Sequence, residues 1–162
     1  MFWILAVLLV DQSNGCNRSS EECFGSSRGY GFYFGTTNLD CFNRGKRSPS
    51  ISTIRLTHRY LYYRGFFYEW MGVGGKTTGS TKGITSIGTS ARRSHCNSET
   101  DNTAAGYGVL STECIKGCAR FFQVAYDFNG LSNNCHHFAN WLADILCTRS
   151  TCPFNCQIYY SG

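Results

Sequence analysis

Apolar positions recur at helical spacing between Leu131 and Leu146, where Cys135, Phe138, Ala139, Leu142, Ile145 and Leu146 form one stripe. Ser132, Asn133 and Asn134 precede the stripe and offer side-chain oxygens to the free amides that open a helix, so a capped helix is predicted with Cys135 in its first turn. A second helical pattern runs from Val109 to Val124 and sets Cys114 and Cys118 one turn apart on one face. A pair so placed is expected to bridge outward, to Cys96 or to the tail cysteines, rather than to itself. The tail Cys147, Cys152 and Cys156 reads as a disulfide-anchored end, since Cys152-x-x-x-Cys156 lacks the spacing of a redox motif.

A period of two dominates earlier in the chain. Ile51 to Tyr63 is rich in β-branched and aromatic residues, Arg64-Gly65 makes a tight turn, and Phe66 to Trp70 returns, which together predict a β-hairpin. Alternation puts His58, Tyr60 and Tyr62 on one face of the first strand and Arg59, Leu61 and Tyr63 on the other. The aromatic patch Tyr30 to Phe34 predicts one or two further short strands within a glycine-rich, disulfide-tied segment. Gly72 to Ser90, rich in Gly, Ser and Thr, reads as a loop or a pair of weak strands. Its Gly72-Val73-Gly74-Gly75-Lys76-Thr77-Thr78 run is not a phosphate-binding loop, because the required first glycine falls at Trp70 and no helix pattern follows.

With 162 residues the chain has the length of one domain able to bury a core. Aromatic residues at 15 %, charged residues at 15 % and 18 glycines favour short strands and irregular loops over a helical bundle. The net charge of +5 is scattered without a basic helix, so it reads as solvated surface rather than a nucleic-acid face. Phe2 to Val10 is a short apolar run followed by polar and small residues, which resembles a signal peptide over residues 1–15 and is too short to span a bilayer. Ten cysteines in a chain of this size point the same way, to a secreted, extracellular protein held by disulfides. Residues 16–50 then form the disulfide-tied N-terminal segment, with Arg44 to Arg47 resembling a furin-type processing site, and residues 51–162 form the main domain.

The chemistry concentrates at Cys135. A thiol at a helix N-terminus feels the positive end of the dipole and the unpaired amides, which favour thiolate and can hold an oxyanion. It still needs an acid/base partner, and His136 and His137 are poorly placed for that because adjacent helical residues do not face each other. The spacings of His95-Cys96 and Cys135-His136-His137 do not match a structural zinc site, and no metal or organic cofactor is called for.

A histidine-led strand with a glycine seven positions on and an aromatic return, His58 to Gly65-Phe66-Phe67-Tyr68-Glu69-Trp70, precedes a distant helix opening Asn134-Cys135-x-His137-Phe138-x-Asn140. These two halves resemble the circularly permuted papain-like superfamily. The hairpin is most similar to the PPPDE (desumoylating isopeptidase-like) peptidases and Cys-x-His-Phe to the lecithin:retinol acyltransferase group; the NlpC/P60 hydrolases are more distant. The resemblance spans about Thr53 to Leu146 and implies an α+β fold, a small antiparallel sheet with a His-bearing hairpin packed on the Cys-bearing helix. It also implies Cys135 as nucleophile and His58 as general base, with Asn133, Asn134 and His137 in support. No third polar residue to orient His58 is identifiable, Asn133, Asn134 or a backbone group being the candidates, and Asp127 to Gly130 reads as a small insertion. The expected function is a secreted thiol hydrolase or acyltransferase acting on a peptide, isopeptide, other amide or ester bond. The alternative is an inactive, disulfide-stabilised binding protein on the same fold, which five bridges that include Cys135 would require.

Overall fold

The computed structural model describes Cys23 and residues 28–38, 57–73, 80–91, 98–130 and 132–160. The signal-peptide and processing-site expectations lie outside these residues, as do Cys16, Cys41 and Cys96. In chain order the elements are β1 (Tyr30–Asn38), β2 (Thr57–Tyr63), β3 (Phe66–Gly72), β4 (Ser80–Gly88), β5 (Glu99–Thr100), β6 (Gly106–Gly108), α1 (Thr112–Ala125), β7 (Asp127–Asn129), α2 (Cys135–Thr148) and α3 (Phe154–Gln157). The protein is α+β: one antiparallel sheet, ordered β5-β1-β2-β3-β4-β7 with β6 also on β1, carries the helices.

The predicted hairpin is the centre of the sheet. Arg64 (φ 48) and Gly65 (φ 85) turn β2 into β3 with both residues left-handed, the geometry that matches the twist of the flanking strands. This sets Tyr63 opposite Phe66, Tyr62 opposite Phe67 and Leu61 opposite Tyr68. On the other side, β1 pairs along the whole of β2, from Phe32 with Tyr63 to Asn38 with Thr57. The sheet therefore draws on both sides of the expected boundary at residue 50, and the Tyr30 to Phe34 patch is one long strand.

Leu61 and Tyr63 face the core with Phe32, Phe34, Tyr68 and Trp70, and the helices cover them through Ile115, Ala119, Phe122, Phe138, Leu142 and Leu146. His58 and Tyr60 point to the opposite face and are buried as well, so β2 is covered on both sides. Trp70 joins the layers, its indole lying 4.9 Å from the Phe122 ring and 5.1 Å from Phe128. The segment from Gly72 to Ser90, read as a loop or a pair of weak strands, contains a full strand, β4, tied to α1 by Thr85, whose N–H donates to Gln123 Oε1 and whose Oγ1 donates to the Ala119 carbonyl. The presumed insertion at Asp127 is strand β7, paired with Ser80 to Lys82 at the sheet edge.

Ser111 caps α1 by accepting from the Cys114 amide at 3.2 Å. The outward cysteines of α1 find the tail: Cys114 bonds to Cys152, just before α3, and Cys118 to Cys156 within it, two rungs that staple the tail to α1. A third bridge, Cys23 to Cys147, ties the N-terminal segment to the end of α2. These disulfides agree with an extracellular protein. The sulfur cluster of Cys114, Cys118 and Cys152 is accounted for by the two rungs. Among the described residues no helix is long and apolar enough to cross a membrane.

Close approach of α3 to α1 requires Gly117, where a Cβ would run into the carbonyl oxygen of Cys156. Alanine would favour the helix by about 1 kcal/mol on propensity, but forcing apart a doubly stapled contact costs about 1–3 kcal/mol. Gly117→Ala is expected to lower the thermal unfolding midpoint; an unchanged or higher midpoint would show that the tail yields freely.

Candidate active site

Asn134 closes the loop that leads into α2. Its Oδ1 accepts from the His136 amide at 2.9 Å and from that of His137 at 3.4 Å, and its Nδ2 donates to the Gly130 carbonyl at 3.1 Å. The His137 ring returns to the Asn134 main chain and side chain, completing a capping box. Asn133 braces the same loop: its main chain exchanges hydrogen bonds with Asn129, and its Nδ2 donates to the Asp127 carbonyl at 2.9 Å. The three residues expected to support the site thus fix where α2 begins, and Cys135 is its first helical residue.

Cys135 is buried and free, whereas the other six described cysteines are paired. Its thiol is hydrogen-bonded to the His58 ring. The structure therefore brings together the two residues singled out as nucleophile and base, from a helix start and a strand 77 positions apart. On its other side His58 Nε2 lies 3.0 Å from Glu69 Oε2. With Nε2 engaged by the carboxylate, Nδ1 is the ring nitrogen left for the thiol. All three groups are nearly inaccessible, at 7 % for Cys135, 3 % for His58 and 1 % for Glu69.

Glu69 is a partner of the His58 ring that sequence reasoning missed when it named Asn133, Asn134 or a backbone group, and the side chains of Asn133 and Asn134 bond to the main chain around the start of α2. A signal was present. The register that pairs Leu61 with Tyr68, carried one residue further, sets Glu69 across from Tyr60, so the carboxylate shares the face of His58 and stands diagonal to it. A lone acid inside Phe66-Phe67-Tyr68-Glu69-Trp70 is also anomalous, because an unpartnered carboxylate is costly to bury.

Electrostatics follow from the burial. Removal from water alone would push the His58 pKa down, but its hydrogen bonds to Cys135 and Glu69, with their negative charge, push it up to about 9. Burial would likewise push the Cys135 thiol up; the hydrogen bond and positive charge of His58, with the amides of Arg59 and His136, bring it below the ordinary thiol range. The Arg59 amide is available because the ladder between β2 and β3 is registered only as far as Leu61 and Tyr68. Both shifts favour the pair of thiolate and imidazolium over the neutral pair.

Comparison with protein-family models, with curated proteins and with solved structures returned no match. The chemistry is accordingly read from the geometry.

Glu69→Gln retains a polar partner for Nε2 and removes the charge. The His58 ring signal in proton NMR, identified by its loss in His58→Ala, is expected to titrate near pH 9 in the native protein and at lower pH in Glu69→Gln. Equal midpoints in the two proteins would remove Glu69 from the account.

Proposed function

We propose that this chain is a secreted thiol hydrolase or acyltransferase acting through an acyl-enzyme on Cys135. One observation carries the reading: the ring of His58 joins a free, buried thiol to a buried carboxylate. The order of histidine strand before cysteine helix, together with the α+β architecture, supports assignment to the permuted papain-like superfamily and a substrate with an amide, isopeptide or ester carbonyl.

In this mechanism the Cys135 thiolate attacks the carbonyl carbon, and the carbonyl π pair moves onto oxygen. The negative oxygen is held at the start of α2, by the Cys135 amide and the positive end of the dipole, since the His136 and His137 amides are engaged by Asn134. As the carbonyl re-forms, the bond to the leaving group breaks, and imidazolium His58 gives that group its proton. His58, now neutral, takes a proton from water or another acceptor as that acceptor attacks the thioester carbonyl, and it keeps the proton, so that the imidazolium is restored when the intermediate collapses and Cys135 departs as thiolate. Glu69 keeps the ring oriented and favours its charged form throughout.

Intact-mass counting of iodoacetamide adducts without reductant, followed by peptide mapping, tests the nucleophile. Cys135 is expected to be labelled, and His58→Ala to slow that labelling at pH 6 by about tenfold or more, since each unit of thiol pKa is tenfold in thiolate. Turnover in a panel of amide and ester substrates should then vanish in Cys135→Ser. A Cys135 that reacts no faster than a simple thiol would leave the inactive binding protein as the better reading.

A further inference from the structure

Two contacts beside the Cys135–His58–Glu69 line join α2 to β2. His136 Nε2 lies 3.1 Å from the Thr57 carbonyl oxygen. A carbonyl can only accept, so Nε2 carries the proton. The half-buried His136 ring is held in its neutral form: burial lowers its pKa, the positive charges of Arg59 and His58 and the nearby His137 lower it further, and the bond to Thr57 offsets only part of this. In the second contact Arg59 Nη1 donates to Asn140 Oδ1 at 3.1 Å, with the guanidinium lying 4.4 Å from the Phe34 ring centroid.

The placement of these four residues is regular. Thr57 and Arg59 flank His58 on the strand, while His136 follows Cys135 on the helix and Asn140 lies one turn beyond His136 on the same face. The main-chain N–H of Arg59 itself donates to the Cys135 sulfur. The other ionisable neighbours are His58 on β2, Glu69 on β3 and His137 on α2.

We infer that His136 and Arg59 are positioning residues, which clamp the first turn of α2 onto the strand that bears His58 and thereby fix the separation of the Cys135 sulfur from the ring. The inference rests on the reading of Cys135 as a nucleophile. The cap residues decide where the helix starts along the chain, but they bond within their own loop and helix. The hold on β2 comes from His136 and Arg59. A hydrogen-bonded ion pair weakens steeply with distance, and a misplacement of about 1 Å can cost about a hundredfold in rate.

The test is the rate of iodoacetamide alkylation at Cys135 as a function of pH, measured on the full chain beside its thermal unfolding midpoint. His136→Ala and Asn140→Ala are expected to move the acid midpoint of the profile upward by about one pH unit, making alkylation at pH 6 about tenfold slower. His136→Gln, which retains an N–H for the Thr57 carbonyl, should restore the native profile. Profiles of His136→Ala and Asn140→Ala that superimpose on an activated native profile would overturn the clamp alone, whatever happens to stability. Failure of His136→Gln to restore it would likewise overturn the hydrogen bond's part, assigning the effect to ring volume. A native profile equal to that of a simple thiol would bring down the nucleophile and the clamp together. Should His136→Ala not fold, Asn140→Ala makes the same comparison from the other contact.

Discussion

The hydrogen bond between His58 and Glu69, 3.0 Å long and closed to solvent, is the constraint around which the hairpin is built. Two ionisable groups so deeply buried are tolerable only as partners, and removing one partner of such a pair typically costs about 3–5 kcal/mol because the other is left uncompensated. Their separation is set locally. They stand on strands joined by two residues, and the left-handed Arg64-Gly65 turn fixes the register that makes them diagonal neighbours. Slippage by one residue would send Glu69 to the core face, among Trp70 and Phe122. The aromatic packing that gives the hairpin its stability therefore also enforces the alignment of imidazole and carboxylate.

Cys135 is held by other means. Nothing local relates it to His58, so its position depends on how α2 docks. The stripe Phe138, Ala139, Leu142 and Leu146 sets the helix against the sheet, and the Phe138 ring lies 5.2 Å from Phe122 and 6.2 Å from Trp70. Such packing fixes a helix axis well and its sliding along that axis less well, because apolar contacts are not directional. Directional bonds supply the rest: the Asn134 cap, the Asn133 brace and the contacts to Thr57 and Arg59 all lie at the end of α2 where the sulfur sits.

The elements with strong periodicity were legible in the sequence. The Cys135 helix has a stripe and a cap, the hairpin has β-branched and aromatic strands around a two-residue turn, and the pair Cys114 and Cys118 read as bridging outward, to Cys96 or to the tail, of which the structure has the tail. Legibility failed where pairing is non-local. Strand β4 is built from Gly, Ser and Thr, whose composition suits a loop as well as a strand, and it is held by β3 and by two bonds from Thr85 to α1. With three residues, β7 is too short to show alternation, so pairing with β4 alone defines it. Glu69 was overlooked for a different reason. Its contact with His58 requires the facing parity of two strands to be carried through the turn, while the polar residues conspicuous in the sequence cluster beside the cysteine.

The division of labour among the cysteines follows from the length of one helix. Cys135 opens α2 and Cys147 lies near its end, twelve residues on, which in an α-helix is about 18 Å of rise. A disulfide needs Cα atoms within about 7 Å, so the bridge from Cys147 to Cys23 cannot migrate to Cys135 while the helix is intact. The rungs from α1 to the tail are as firmly committed, since Cys114 and Cys118, one turn apart on α1, are bonded to Cys152 and Cys156. What faces the Cys135 sulfur is an imidazole and two amides, groups that stabilise a thiolate, and its 7 % exposure restricts access by soluble disulfides. A free thiol in a protein rich in bridges thus needs no separate protection: the same helix keeps its cross-linking sulfur at one end and its free one at the other.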